Sequence, residues 1–191
     1  MSSILLSAPA VEPLTLAEAK LFLRVEHNTD DVLISALIAG ARLHIEAHTR
    51  RALITQTWRL VRDAWPSDGR LPVLPAPLQS ILAVRVYDAG NVAHPLDLQA
   101  FVIDAAAAPA IIAFAPWTPM MPGRALAGIE IDVKVGYGDA AANVPEPLRQ
   151  AIRLLVSHWY ENRGLVEAGH EIAVLPAAFA VAIAPYRVLS L

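Results

Sequence analysis

The 191-residue sequence predicts an α+β protein, in which helical segments at both ends of the chain flank a small antiparallel β region. Apolar residues recur at helical spacing before Thr49 and again after Pro145, whereas from Leu53 the spacing changes to two. Prolines then punctuate the middle of the chain and confine several strands to sheet edges or strand ends. We expect the three segments 1–52, 53–135 and 136–191 to make up one structural unit.

The first helix is marked by its N-terminal cap. Thr15 and Glu18 form a capping-box pattern, in which the hydroxyl caps the helix and the carboxylate reaches back to the cap residue. The helix should end near Arg24. Its apolar residues predict a short buried stripe: Leu16, Ala19, Leu23 and, at the border of the stripe, Leu21.

The second helix is predicted over 31–49, with Thr29 or Asp30 as its N-terminal cap. Its apolar residues form two rows, one of Leu33, Leu37, Ala41 and Ile45 and one of Ile34, Ile38 and Ala41. A helix that is apolar on more than one side is normally sandwiched between neighbours. Since 55% of the chain is hydrophobic and much of that is alanine, we expect apolar surface that a partner covers.

The middle of the chain is predicted to form strands, because β-forming residues alternate there. The predicted strands span 53–62, 81–87, 92–96, 100–103, 110–114 and 129–135. Asp88-Ala89-Gly90-Asn91 is typical of a hairpin turn and lies between the second and third of these strands.

The last long helix opens at Pro145-Glu146-Pro147, where proline is tolerated in the first turn, and should close at Gly164. One side of it is apolar: Leu148, Ile152, Leu155 and Trp159. The opposite side is polar: Arg149, Arg153, Ser157 and Glu161. The remainder predicts a loop, a short apolar helix around 177–184, and a tail.

Composition excludes several classes of protein. Fifteen basic against 18 acidic residues give a net charge of −3, which argues against a broad basic face for nucleic acid but not against DNA that merely passes. Without cysteine there are no disulfides or thiolate metal sites, which fits a reducing cytoplasm. The apolar run 172–186 has 15 residues and two prolines, and a membrane-spanning helix needs about 20. The N-terminus lacks the positive region of a signal peptide.

The histidines suggest chemistry but do not complete a site. His44 and His48 lie four residues apart, a spacing that suits two metal ligands, yet the order His-Glu-x-x-His and a third ligand are missing. His158 near Glu161 suggests an acid–base pair, but no motif supplies a nucleophile. We therefore interpret His44 and His48 as helix-face histidines at an interface, and His158 as a histidine of the helix packing layer.

Two further motifs also favour structural roles. Gly136-Tyr137-Gly138-Asp139 lacks the remaining features of a phosphate-binding loop and predicts a tight turn after a strand. Arg50-Arg51 could contact phosphates, but two arginines at a helix C-terminus also complement the helix dipole. We assign no catalytic, metal-binding or cofactor-binding residue and expect no cofactor.

Several motifs occur in a familiar order. Near the C-terminus they are the runs 136–141 and 144–152, followed by His158-Trp159-Tyr160-Glu161-Asn162-Arg163. Earlier in the chain they are 14–25 and 51–58, and the closing motif is Pro185-Tyr186-Arg187. In this order and spacing, the sequence resembles the gp6-like head–tail connector (adaptor) proteins of tailed phages, in the longer form that also occurs in gene transfer agents. The likeness covers nearly the whole chain and is weakest between Pro66 and Ala127.

The resemblance implies a helical bundle with the small antiparallel β region inserted between the second and the last long helix. It implies a structural, non-enzymatic subunit of a ring, expected to be dodecameric, beneath the portal protein. The ring would extend the DNA channel without sequence-specific binding and offer a platform for the next neck or tail (stopper) protein. Assembly would take place in the bacterial cytoplasm, away from any membrane, and the final location would be the particle neck. Arg50 stands where the family often has glycine, which puts a left-handed glycine cap there in question.

The candidate contacts with neighbouring subunits or the portal lie on the last helix and in the tail. They are Arg149, Arg153, Glu161, Tyr186, Arg187 and Leu189. The tail is included because apolar, aromatic and arginine side chains are typical interface anchors. Two alternatives stay open: a small metal- or histidine-dependent hydrolase using His44, His48 or His158, and a monomeric binding module with a groove at Pro116–Pro122 near Trp117.

Overall fold

The computed structural model describes residues 2–114, 119–162 and 177–189. Within these ranges the helices are α1 (Leu16–Leu23), α2 (Asp31–Thr49), α3 (Glu146–Glu161) and α4 (Ala177–Ile183). The strands are β1 (Ser2–Ser7), β2 (Gln56–Arg62), β3 (Arg70–Val73), β4 (Leu78–Tyr87), β5 (Ala93–Pro95), β6 (Phe101–Asp104), β7 (Ala110–Phe114) and β8 (Ile129–Val135). The fold therefore combines helices with antiparallel sheets, as the predicted α+β class requires; that its helices form a bundle stays a prediction.

The chain divides into two compact units. The described residues of the first come from 2–9, 55–137 and 188–189 and contain all the strands named above. Those of the second come from 10–54 and 138–187 and contain the four helices. Besides its middle segment 55–137, the β-rich unit thus takes in residues from both ends of the chain, and the predicted boundaries at 53 and 135 stay a prediction. That the three predicted segments make up one structural unit overall stays a prediction.

The β-rich unit contains two antiparallel sheets. The larger has the strand order β1-β2-β8-β4-β5, and the smaller has the order β3-β7-β6. β8 pairs along its whole length with β2 on one side and with β4 on the other, where the register shifts twice within β4. Its residues Ile129, Ile131 and Val133 are fully buried, because alternate side chains of a central strand face the same core.

Two strands were not predicted from the sequence, and two others begin three residues away from their predicted starts. The sequence of β1, Ser-Ser-Ile-Leu-Leu-Ser, shows no apolar–polar alternation, and all six residues are exposed. β3 contains Pro72, which argued against a strand there. β2 begins at Gln56 rather than Leu53, whose N–H donates at 2.9 Å to Glu46 Oε1 instead of to a strand. β4 begins three residues before the predicted Ile81.

The predicted hairpin turn between β4 and β5 is confirmed. The N–H of Asn91 donates to the carbonyl of Asp88 at 3.1 Å, and Asn91 adopts φ 65°, a conformation that asparagine tolerates. The Asp88 carboxylate accepts from the N–H of Val92 at 2.9 Å and contacts His94 Nε2 at 2.8 Å. The strand after the turn is shorter than predicted and ends at Pro95, which has no N–H to donate.

The predicted capping box of α1 is confirmed. Thr15 Oγ1 accepts from the N–H of Glu18 at 3.2 Å, and the N–H of Thr15 donates to Glu18 Oε2 at 2.9 Å. Of the predicted apolar stripe, Ala19 is buried and Leu21 is exposed, so placing Leu21 in the stripe was wrong. α1 ends at Leu23, and Arg24 follows it with φ 57° in the left-handed region.

Arg24→Gly is expected to raise the free energy of unfolding by about 0.5 kcal/mol. A left-handed backbone costs an ordinary residue roughly 1–2 kcal/mol, and the extra freedom of glycine in the unfolded chain offsets about 0.4–1 kcal/mol of the gain. Urea unfolding followed by circular dichroism measures the change. Arg24→Ala removes the same exposed side chain without relieving the backbone, so it should give no gain; equal stabilisation by both variants would contradict the explanation.

α2 spans Asp31–Thr49, the predicted range, but its two apolar rows are not buried to the same extent. The row of Ile34, Ile38 and Ala41 is buried throughout. In the other row Ala41 and Ile45 are buried, but Leu33 is exposed, as are its neighbour Val32 and Leu43. Within one chain, then, α2 is not sandwiched on all its apolar sides. This leaves part of its apolar surface open to a partner.

Asp30 occupies the N-cap position of α2, one of the two residues predicted there, but both ends of the helix lack the expected capping group. The Asp30 side chain makes no cap hydrogen bond; its carboxylate accepts from the Tyr160 hydroxyl of α3 instead. Arg50 has φ 56°, so a left-handed cap forms at the C-terminus although glycine is absent.

α3 packs against α2 through its predicted apolar side. Its buried residues are Leu148, Ala151, Ile152, Leu155 and Val156, whereas Trp159 is half-buried. The Trp159 indole lies against α2 beside Gly40, where a Cβ would be 3.6 Å from the ring, an ordinary van der Waals distance. α3 ends at Glu161; Gly164, its predicted end, lies outside the described residues. None of the described helices combines the length and apolarity needed to cross a membrane.

Candidate functional site

Arg149, a predicted contact residue on α3, is held by groups of its own chain. Its Nε donates to the Pro13 carbonyl at 3.0 Å, and its Nη1 donates to Glu146 Oε2 at 3.0 Å. Its Nη2 donates to Glu18 Oε1. Since the Thr15 N–H and Arg149 both bond the Glu18 carboxylate, the Thr15 bond most strongly, they lower the pKa of that carboxyl. Arg149 therefore ties α3 to the capping box of α1.

Arg153 and Glu161 continue the polar side of α3. Arg153 Nη1 bonds Glu146 Oε1 and lies 3.3 Å from Gln150 Oε1. This guanidinium, more than that of Arg149, lowers the pKa of the Glu146 carboxyl. Glu161 is exposed, and its Oε1 accepts from the Ser157 hydroxyl at 3.1 Å. That this side of α3 also contacts a neighbouring subunit stays a prediction.

The C-terminal tail is anchored through its backbone. The Tyr186 carbonyl accepts from Arg51 Nε at 2.7 Å, which gives Arg51 a structural contact beyond its position at the helix end. Val188 is buried, whereas Arg187 and Leu189 are exposed on either side of it. The side chain of Leu189 is 80% exposed, so the tail presents an apolar group to solvent next to a cation. Whether a partner binds there stays a prediction.

His44 and His48 lie in an aromatic cluster on α2. Their ring centroids are 4.1 Å apart, and the His44 ring lies 5.8 Å from Trp159 and 5.6 Å from Phe179 of α4. Burial, assisted by the proximity of His48, lowers the pKa of His44. The described residues contain no group of three His, Cys, Asp or Glu side chains that could hold a metal ion. The geometry places these two rings in packing between helices.

The glycine motif after β8 is a turn, as predicted. Gly136 has φ 117°, and its N–H donates to the Pro77 carbonyl at 2.9 Å. Gly138 has φ 155°, and a Cβ there would lie 2.5 Å from the Asn143 side chain. Asn143 Oδ1 accepts from the Ala140 N–H at 3.0 Å and closes the turn. Glycine occupies position 136 because of the positive φ, and position 138 because Asn143 leaves no room for a side chain.

The structure also contains a charge cluster that was not predicted. Asp132 of β8 accepts from Arg59 Nε at 2.7 Å on one side and from Arg85 Nη1 at 2.7 Å on the other. Glu130 lies 3.2 Å from Arg59 and accepts from the Tyr87 hydroxyl at 3.1 Å. The two guanidinium groups, Arg59 foremost, lower the pKa of the Asp132 carboxyl. The sequence did contain a signal for this cluster. Acidic residues alternate in one predicted strand and basic residues lie in others, and residues two apart in a strand share a sheet face.

Exposed apolar side chains lie on several elements of the chain. On β1 they are Ile4, Leu5 and Leu6. On α1 and α2 they are Leu21, Phe22, Val32, Leu33 and Leu43. On β6 they are Val102 and Ile103. This is the kind of surface that the composition led us to expect on a subunit whose partner is absent.

Comparison with known proteins gives a consistent result. A family model described as phage gp6-like head-tail connector protein matches residues 13–108. No curated protein matches the sequence. Among solved structures, a chain from the neck of an empty gene transfer agent particle, computed with C6 symmetry, is similar with a TM-score of 0.84. Chains from the virion of a native gene transfer agent particle and from the neck of a native particle, computed with C12 symmetry, give 0.83 and 0.81. Each is 26% identical, over 100% of this chain and 97% of the other.

Proposed function

Since this chain belongs to the phage gp6-like head-tail connector family and is a structural head–tail adaptor of a particle neck, we propose that twelve copies form a ring beneath the portal. The observation that carries the proposal is the similarity over the whole chain to subunits of gene transfer agent necks. Twelve copies fit the C12 symmetry of one such neck, and the C6 symmetry of another is a subgroup of it. The ring extends the DNA channel and presents a platform to the next neck or stopper protein.

We further propose that DNA passes through this ring without sequence-specific binding. The net charge of −3 supports this, because retention of DNA depends on phosphate contacts made by lysine and arginine. Many basic side chains are in ion pairs with the chain's own carboxylates: Lys20, Arg42, Arg59, Arg85, Arg149 and Arg153. Such pairing leaves less positive charge to hold the phosphates.

The proposed contacts with the portal and neighbouring subunits are the polar side of α3 and the tail. The residues are Arg149, Arg153, Glu161, Tyr186, Arg187 and Leu189. The exposure of Arg187 and Leu189, beside the anchored Tyr186, supports the assignment of the tail. Assembly in the bacterial cytoplasm, before the ring takes its place in the neck, completes the proposal.

The proposal is tested in a particle-producing host that lacks this chain. Filled heads without tails should accumulate, and the purified chain added to these heads should restore tailed particles, counted by electron microscopy. Tailed particles that form without the chain would contradict the proposal. The hydrolase alternative is distinguished from the adaptor function by the variants His44→Ala, His48→Ala and His158→Ala. An adaptor that still folds should join heads to tails without these imidazoles.

Leu189→Asp is expected to lower head–tail joining about tenfold, which corresponds to roughly 1.4 kcal/mol of binding free energy per site. The carboxylate would place a charge where an apolar contact is proposed. The measurement is the concentration of added chain that restores half of the tailed particles. Leu126→Asp is the matched control, because Leu126 is 72% exposed and Leu189 80%. Equal losses in both variants would contradict a specific role of the tail.

A further inference from the structure

β1 forms one edge of the five-stranded sheet. Among the described strands only β2 pairs with it, from Ser2 opposite Val61 to Ser7 opposite Thr57. The other side of β1 therefore presents a row of backbone groups that a further strand could pair. Folded proteins normally protect such an edge with proline, charge, a very short strand or a covering segment.

β1 lacks most of these protections, whereas the edge strands β5 and β3 carry them. β5 has only three residues and ends at Pro95, and β3 contains Pro72. β1 has six residues with the sequence Ser-Ser-Ile-Leu-Leu-Ser, without proline or charge, and its pairing with β2 shifts register only near its end, between Leu5 and Ser7. An edge of this kind is a site for adding a strand from another chain.

The side chains of β1 are also left uncovered on both faces of the sheet. Ile4 lies opposite Arg59, on the face that carries the charge cluster, and is 51% exposed. Leu5 points to the other face, because successive side chains of a strand alternate, and it too is exposed. A partner that covers β1 therefore buries apolar groups above and below the sheet as well as pairing the backbone.

Cyclic symmetry limits which strand of a neighbouring copy can pair with β1. In a cyclic ring each subunit contacts the next through two different surfaces, whereas β1 paired with β1 gives a two-fold contact that closes as a dimer. The partner of β1 must then be another edge of the next copy. Of the remaining edges, β6 has no proline and ends at the charged Asp104, and its Val102 is 69% exposed.

We propose that β1 of one subunit pairs with the free edge of β6 of the next, so that the five-stranded sheet of one copy continues into the three-stranded sheet of its neighbour. This inference rests on the proposed ring and identifies the strands through which neighbouring subunits of the ring touch. Both strands present exposed apolar residues beside an unpaired edge, and each would cover the other. Twelve such pairings close the β-rich units into one belt.

Cysteine cross-linking of assembled rings tests the pairing, because the chain has no cysteine of its own. Each double variant combines Ile4→Cys or Leu5→Cys with Val102→Cys or Ile103→Cys, so that both sheet faces are sampled. Opposed residues of antiparallel strands have Cα atoms about 4.5–5.5 Å apart, within the range of a disulfide. A bis-maleimide with a reach of about 10 Å covers a register shift of two residues, roughly 7 Å.

The expected result is a ladder of covalent oligomers from at least one double variant and none from the single-cysteine variants. Dimers from Ile4→Cys alone would show β1 paired with β1 and overturn the inference. Rings that are visible by electron microscopy but do not cross-link in any double variant would overturn the strand pairing and leave the adaptor function standing. Failure to form rings in the presence of the portal would overturn both.

A charge on the β1 edge gives an independent test. Ile4→Lys should reduce the yield of rings at least tenfold while the melting temperature of the monomer stays the same, because Ile4 is already half exposed. Val92→Lys is the matched control, since Val92 is 56% exposed and lies in the β4–β5 turn, outside both edges. Normal rings from Ile4→Lys, or equal losses from both variants, would contradict the proposal.

Discussion

Ile152→Ala is expected to lower the free energy of unfolding by about 3 kcal/mol, a typical cost of removing a large aliphatic side chain from a core. Ile152 is completely buried on the side of α3 that also carries Leu148 and Leu155. The truncation leaves a cavity that the α2–α3 packing can fill only in part. Urea unfolding followed by circular dichroism at the helical wavelengths reports on the unit that contains these helices.

Ile152→Val serves as the control for this prediction, because it removes one methylene group and should cost about 1 kcal/mol. A loss below about 1 kcal/mol for Ile152→Ala would show that the helices readjust around the cavity. It would mean that the core between α2 and α3 is less tightly packed than the burial of Ile152 indicates.

Asp132→Ala is expected to lower the free energy of unfolding by about 2–3 kcal/mol. This is somewhat less than the cost of breaking a fully buried ion pair, because both arginines keep partial contact with water. The substitution leaves Arg59 with Glu130 as its remaining carboxylate, and leaves Arg85 without its bond to Asp132. Thermal unfolding measures the effect. Arg70→Ala, which removes an exposed arginine at the start of β3, is the comparison and should change little. Equal losses would refute a special role of the cluster.

The effect of Asp132 should depend on pH with a definite sign. The neighbouring arginines lower the pKa of its carboxyl in the folded protein, so the ionised form is favoured by folding. Its contribution is fully present above the unfolded pKa, which is about 3.9, and is lost as the pH falls through the lower folded value. The stability difference between the wild type and Asp132→Asn should therefore shrink below about pH 4, and a difference that grows on acidification would contradict this.

Local signals in the sequence were sufficient for several elements. The capping box at Thr15 and Glu18 and the turn from Asp88 to Asn91 depend on residues within four positions of one another, so their geometry could be predicted. The limits of α2 also follow from a local pattern. The order of motifs along the chain led to the connector family, which the comparisons confirm.

Features set by distant contacts could not be predicted in this way. β1 forms because Ser2 to Ser7 pair with a strand 50 or more residues away, and its own sequence shows no apolar–polar alternation. Arg149 looked like a free residue on the polar side of a helix, but its guanidinium reaches Pro13 and Glu18, both far away in sequence. Whether a candidate contact residue is exposed depends on the same long-range packing. The apolar periodicity of a single helix does not show which distant residues will cover its polar side.

The division of the helical unit between two distant parts of the chain has a consequence for synthesis. Its described residues come from 10–54 and 138–187, so α1 and α2 leave the ribosome more than 80 residues before α3. Chains fold from the N-terminus as they are made, yet the apolar side of α2 has no α3 to pack against until then. Nascent chains with an open α2 would be targets for chaperones, and subunits become competent for assembly only after α3 has been translated.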